Sequence, residues 1–155
     1  MEYSRTFPEI EYTGVKAPSV SFPEGPEDLT DASMEERRRK ILKQMEEKNL
    51  DSLLIYADRE HGGNFGYLTG FEPRFEEAAL ALHQDGTAVL LLGNENMKMA
   101  AYSRIPAGTV HVPYFSLPNQ PMEHQKTLCQ LIEDVGIRRG SRVAVSYTHL
   151  TLPTT

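Results

Sequence analysis

Apolar residues fall without period over positions 1–32 and become regular only from Ser33 onward. Pro8, Pro18, Pro23 and Pro26 break any helical or strand repeat in the first stretch, and Glu24-Gly25-Pro26-Glu27-Asp28 is polar and turn-like. Residues 1–32 therefore read as an extended Pro-rich arm, either disordered or laid along a surface. Phe7, Ile10, Tyr12, Val15 and Phe22 are more apolar than a free tail requires, so docking on the chain's own domain or on a partner is one of two open readings.

From Ser33 the pattern turns helical. Ser33-Met34-Glu35-Glu36 has the form of a capping box. Ile41, Leu42 and Met45 then make one apolar stripe on a helix from Met34 to about Lys48, with Asn49 as its stop. Ser52–Ala57 is a short apolar run between Asp51 and Asp58, the signature of a buried strand. A loop over Arg59–Gly63 and an irregular turn through Tyr67–Phe71 follow. Ala78–His83 and Thr87–Leu92 flank Gln84-Asp85-Gly86, which predicts a hairpin whose glycine takes positive φ. Beyond it the pattern predicts a helix over Asn94–Tyr102 with Met97, Ala100 and Ala101 inward, and a strand over Thr109–Phe115. A long helix over Met122–Val135 presents Leu128, Leu131, Ile132 and Val135 on one face and is capped by Gly136. A last strand begins at Ser141–Ala144. This order gives an α/β sandwich with a mixed sheet, because a hairpin forces one antiparallel pair.

Composition narrows the picture a little. The chain has 155 residues, 39% hydrophobic and 25% charged, ordinary for one globular domain. A net charge of −6 argues against nucleic acid, which selects a basic face. The basic run Arg37-Arg38-Arg39-Lys40 sits among Glu35, Glu36, Glu46 and Glu47 and reads as a solvated helix face. The single cysteine, Cys129, has no internal partner and is expected as a half-buried structural thiol in a reducing compartment. No signal-peptide core opens the chain, and its longest apolar runs are too short to span a bilayer, so a cytoplasmic location without membrane contact is expected.

One segment carries more information than these. Asn64-Phe65-Gly66-Tyr67-Leu68-Thr69-Gly70-Phe71, followed by Glu76-Glu77-Ala78-Ala79-Leu80-Ala81-Leu82, resembles the N-terminal domain of the creatinase/prolidase/aminopeptidase P family. The resemblance covers roughly residues 34–144. It implies a three-layer α/β/α sandwich of ribonuclease-H-like type. It also implies that two divalent metal ions, held by aspartates, a histidine and glutamates, belong to a C-terminal catalytic domain with no counterpart in this chain. The implied role is that of a non-catalytic domain that shapes substrate access, favours peptides with proline at the second position and builds a homodimer. A dipeptide or a small guanidino compound would fit other branches of the family. A free-standing α/β module that binds a small ligand or dimerises, with no hydrolase domain attached, is the alternative.

The candidate residues follow from both lines. His61, His83, His111 and His124 are not spaced three or four apart, and no H-E-x-x-H occurs, so none is expected to hold metal. His83 and His111 read as structural or surface groups. His61 lies in Glu60-His61-Gly62-Gly63-Asn64, where a flanking carboxylate would orient the imidazole or the glycines would simply make a mobile connector. Gly62, Gly63 and Gly66 lack the spacing of a dinucleotide fingerprint. The resemblance places Tyr67, Phe71 and Arg74 near the active site of the other subunit of a dimer, where Arg74 would grip a substrate carboxylate. In the plainer reading Tyr67 and Phe71 pack the core and Arg74 pairs with Glu76 or Glu77. Finally, residues 145–155, from Val145-Ser146-Tyr147-Thr148-His149-Leu150 to the end, resemble the translation of a sequencing adapter and are expected to be non-native. The competing reading is a real strand carrying Val143, Val145 and Tyr147.

Overall fold

Asp31–Glu47 forms the first helix, α1, of a computed structural model that describes residues 13–21, 25, 28–123 and 125–146. The helix starts three residues earlier than the Ser33 capping box predicts. Thr30, extended at φ −76° and ψ 158°, is the cap, and its hydroxyl accepts the Ser33 amide at 3.1 Å. Asp31 in the first turn then faces the positive end of the helix dipole. Met34 and Met45 are buried, Ile41 and Leu42 pack beside them, and Asn49 ends the helix region at φ 52°.

Strand β1 spans Ser52–Ala57, as expected. The segment read as an irregular turn is instead a short helix, α2, over Gly63–Thr69. Phe65 and Leu68 bury its inner face, and Gly70, at φ 81°, closes it with an amide hydrogen bond to Gly66. The predicted hairpin is β2 (Ala78–His83) and β3 (Ala88–Leu92), with Gly86 at φ 86° in the turn.

Three later elements are shorter or tighter than their patterns suggest. Asn96–Tyr102 is a 3-10 helix that leaves Ala101 exposed. Strand β4 covers only Gly108–His111, because Pro113, which has no amide to donate, starts a 3-10 turn over Pro113–Phe115. Helix α3 covers Leu128–Asp134, not Met122–Val135. Thr127 and Gln130 form a reciprocal capping box that fixes its start, so Leu128 and Cys129 lie on the solvent side. Cys129 is thus exposed, not half-buried. Gly136, at φ 90°, follows the helix as predicted.

Strand β5 spans Val143–Ser146, so Val145 and Ser146 pair with Leu54 and Ile55 of β1. The sheet order is β4-β3-β2-β1-β5. β2 runs antiparallel to both its neighbours, while β1 with β5 and β3 with β4 are parallel. All carboxyl ends except that of β2 therefore meet at one edge. One face, carrying Ile55, Leu80 and Leu90, is covered by α1, α2 and the first 3-10 helix. The other, carrying Ala79, Ala81 and Leu91, is covered by Leu131, Val135 and Ile137 from α3 and its exit. The result is a three-layer α/β/α sandwich with a mixed sheet. Among the described residues no helix is long and apolar enough to cross a membrane.

The anchors Phe7, Ile10, Tyr12 and Phe22 lie outside the described residues, as do residues 147–155. Residues 13–21 are exposed throughout.

Candidate functional site

A glycine-rich helix needs help from outside itself, and α2 receives it from its exit turn. Thr69 is fully buried, and its hydroxyl donates toward the carbonyls of Phe65 (2.9 Å) and Phe71 (3.2 Å). The ring of Phe71 meets that of Phe65 edge-on at 5.2 Å. The Arg104 amide donates to the Thr69 carbonyl, while its guanidinium grips the Leu29 carbonyl and Asp31 at the start of α1. A Cβ on Gly70 would stand 2.3 Å from Arg104 Cγ, so this turn tolerates no side chain.

This rigid turn gathers the three aromatic and basic candidates. Tyr67, Phe71 and Arg74 line one hollow of about 560 Å³ together with Arg37, Glu72 and Met99. Tyr67 is 43% exposed and Phe71 only 7%, so Phe71 alone belongs to the core. Arg37 stacks its guanidinium 4.3 Å above the Tyr67 ring and donates to the Tyr67 carbonyl at 3.0 Å. Arg74 lies 5.8 Å from the Phe75 ring. Among the described residues no ion pair joins it to Glu76 or Glu77. Glu76 is unsuited to one: it is 5% exposed, and its carboxylate accepts the amides of Glu95 and Asn96 at 2.9 and 3.0 Å.

His61 is not part of the hollow. Its Nδ1 donates to the Asp58 carboxylate at 2.8 Å, so Asp58, not Glu60, orients the imidazole. Burial pushes the Asp58 carboxyl up. The hydrogen bond from His61 and the amides of Glu60 and His61 more than offset this and hold it below the ordinary aspartate range. His83 bridges structure: its Nε2 donates to the Val135 carbonyl at 2.6 Å, which leaves Nδ1 to accept from the Ser52 hydroxyl at 2.8 Å. His111 donates to Asn94 at 2.6 Å on the surface. His124 lies outside the described residues. Among those described, no group of three or more His, Cys, Asp or Glu converges as a metal site would require.

Sequence reasoning missed two features. The solvated-face reading holds for Lys40, paired with Glu36, but not for Arg37, and Arg38, paired with Glu35, also donates to the Gly86 carbonyl at 3.2 Å. Arg37 follows Met34 by three residues and precedes Ile41 by four, a spacing that puts it on the inward stripe. The second feature is a groove of about 600 Å³ bounded by Phe75, Tyr114 and Leu117, for which no local pattern gives a signal.

The family model of the Creatinase/Prolidase N-terminal domain matches residues 37–154. A proline dipeptidase from Streptococcus agalactiae 2603V is similar at 14% identity and a TM-score of 0.50, over 76% of this chain and 80% of that one. An XXA-pro aminopeptidase from Streptococcus pyogenes is similar at 24% identity and a TM-score of 0.47, over 68% and 69%. The prolidase from Pyrococcus horikoshii OT3 matches at 24% identity and a TM-score of 0.41, over 48% of this chain; the match spans 20% of that protein's length. No curated protein matches the chain. With three quarters of its length matched by the family model, and its sheet and layers as that family's solved relatives have them, this chain belongs to the Creatinase/Prolidase N-terminal domain family.

Proposed function

We propose that this domain is the non-catalytic front of a metal-dependent Xaa-Pro-type aminopeptidase, where it shapes substrate access and contributes to a homodimer. The observation that carries the reading is the hollow of Tyr67, Phe71, Arg74 and Arg37, built on a turn that Thr69, Gly70 and Arg104 hold rigid. A half-exposed tyrosine beside two guanidinium groups suits a small anionic group such as a peptide carboxylate, which a planar guanidinium grips in two places. Arg74, exposed and without an ion pair among the described residues, is the residue left to do so. Two divalent metals and the hydrolytic step would belong to a catalytic domain joined to this one. The chain by itself is then inert. A cytoplasmic setting fits Cys129, which is exposed and free.

The alternative is a free-standing module that binds a small ligand. The test is to read the source gene through and past the codon for Ala144 and to express whatever it encodes. A second domain carrying metal-ligating aspartate, histidine and glutamate supports the peptidase reading. In such a protein, Arg74→Ala should raise KM for a Xaa-Pro dipeptide about tenfold and change kcat little, the mark of lost ground-state binding. An open frame that ends without those ligands overturns the reading in favour of the module.

A further inference from the structure

The chain between α2 and β2 is pinned on both sides of a strained corner. On the near side Phe71 is buried, and the Thr69 hydroxyl donates to its carbonyl. Pro73 is buried too, its ring Cδ 3.8 Å from where a Cβ on Gly62 would stand. On the far side the buried Glu76 carboxylate accepts the Glu95 and Asn96 amides, and the Glu77 amide donates to the Phe115 carbonyl at 3.1 Å. Between Pro73 and Glu76 lie only Arg74 and Phe75, both exposed. Among the described residues no hydrogen bond reaches the backbone of this pair. Phe75 nevertheless stands at φ 71°, a left-handed conformation that is costly for a bulky L-residue. It gains no core packing in return, being 67% exposed. Strain of this kind persists only where the surroundings impose it, and here the two pins do so.

The corner also divides two hollows. Arg74 lines the hollow of Tyr67 and Arg37, and it lines a smaller one of about 200 Å³ with Arg59, Pro73 and Phe75. Its guanidinium rests 5.8 Å from the Phe75 ring, near the outer limit of a cation–π contact. Among the described residues it has no carboxylate partner. Glu72 lines both hollows as well and offsets part of their positive charge, yet it pairs with none of the three arginines there. Arg74 is therefore weakly held, on a backbone that has a lower-energy conformation to move to.

We propose that Arg74–Phe75 is a strap with two positions, and that the strained turn is the open one. In the closed position Phe75 gives up its left-handed conformation, and Arg74 leaves the Phe75 ring to close over a small carboxylate in the Tyr67 hollow. Relief of backbone strain offsets the lost ring contact, so the closed position is populated before any ligand arrives. The ligand class rests on the reading of that hollow given above, whereas the exchange within the empty chain does not.

The test is amide nitrogen relaxation dispersion on the whole chain. Arg74, Phe75 and Glu76 should show microsecond-to-millisecond exchange with a minor state of about 0.1–10%, while Phe65–Gly70 stay flat. Phe75→Ala removes the ring and keeps the strain, whereas Phe75→Gly removes both, because glycine takes positive φ freely. The minor state of Phe75→Gly should therefore be about fivefold or more scarcer than that of Phe75→Ala. Millimolar N-acetylglycine should shift the population toward the closed position, and N-acetylglycinamide, which lacks the carboxylate, should not. Arg74→Gln should abolish that response. Flat profiles at residues 74–76 overturn the proposal, as do equal minor states in the two Phe75 variants. So does a population that N-acetylglycine leaves unchanged. A source gene without metal ligands would sink the peptidase reading and leave each of these outcomes as it stands.

Discussion

Gly70 shows how a single residue fixes the candidate site. It combines φ 81° with a virtual Cβ 2.3 Å from Arg104 Cγ. Gly70→Ala should lose about 2–4 kcal/mol in urea denaturation, from left-handed strain plus displacement of the Arg104 clamp. An unchanged midpoint would mean that Arg104 moves aside freely. Glu76→Ala should cost a similar amount, about 2–4 kcal/mol, because the amides of Glu95 and Asn96 lose their shared acceptor in a buried place. Asp58 gives the pH dependence. Its folded pKa lies below that of the unfolded chain, so its contribution is present in full above about pH 4 and is lost as pH falls through the depressed folded value. Asp58→Asn should therefore flatten the acid limb of the stability curve below about pH 4, measured by thermal melts across pH. At this scale the glycines were legible, since Gly86 and Gly136 follow local turn chemistry. Phe75 was not. Its left-handed turn leads the chain to Glu76, whose acceptors are needed some twenty positions later, and no window of sequence contains that demand.

Elements were legible where period and local chemistry agreed. The β2–β3 hairpin appeared where two short apolar runs flanked Gln84-Asp85-Gly86, and α1 appeared where its apolar stripe met a capping residue, displaced to Thr30. They were illegible where tertiary contacts decided. Gly63, Gly66 and Thr69 are poor helix formers, and α2 exists because Phe65 and Leu68 find the core and Gly70 closes the turn. The third helix was overextended for the opposite reason. Leu128 joins the apolar count in sequence but is 57% exposed once Thr127 caps the helix, while Leu131 is 3% exposed. The difference is measurable: Leu131→Ala should cost about 2–4 kcal/mol and Leu128→Ala less than about 0.5 kcal/mol. Equal costs would restore the longer helix.

For the whole molecule, the alternation of helices and strands around one hairpin was enough to specify a mixed sheet between helical layers, and the Tyr67–Phe71 motif was enough to place its family. Strand order was beyond reach, because nothing local says that β5 returns beside β1 and not beside β4. That placement has a consequence. β2 is hydrogen-bonded on both sides, through β1 and β3, whereas among the described residues β5 is paired on one side only and Val145 is 67% exposed. Amide exchange measures such differences as free energies of local opening. Amides of Ala78–His83 should exchange at the rate of global unfolding. Those of Val143–Ser146 should exchange much faster, the outward-directed ones with almost no protection. If the β5 amides prove as slow as those of β2, the open edge must be covered in solution, either by a further strand or by another molecule. Repeating the measurement across protein concentration separates the two, because protection by a further strand of the same chain is independent of concentration and protection by a second molecule is not.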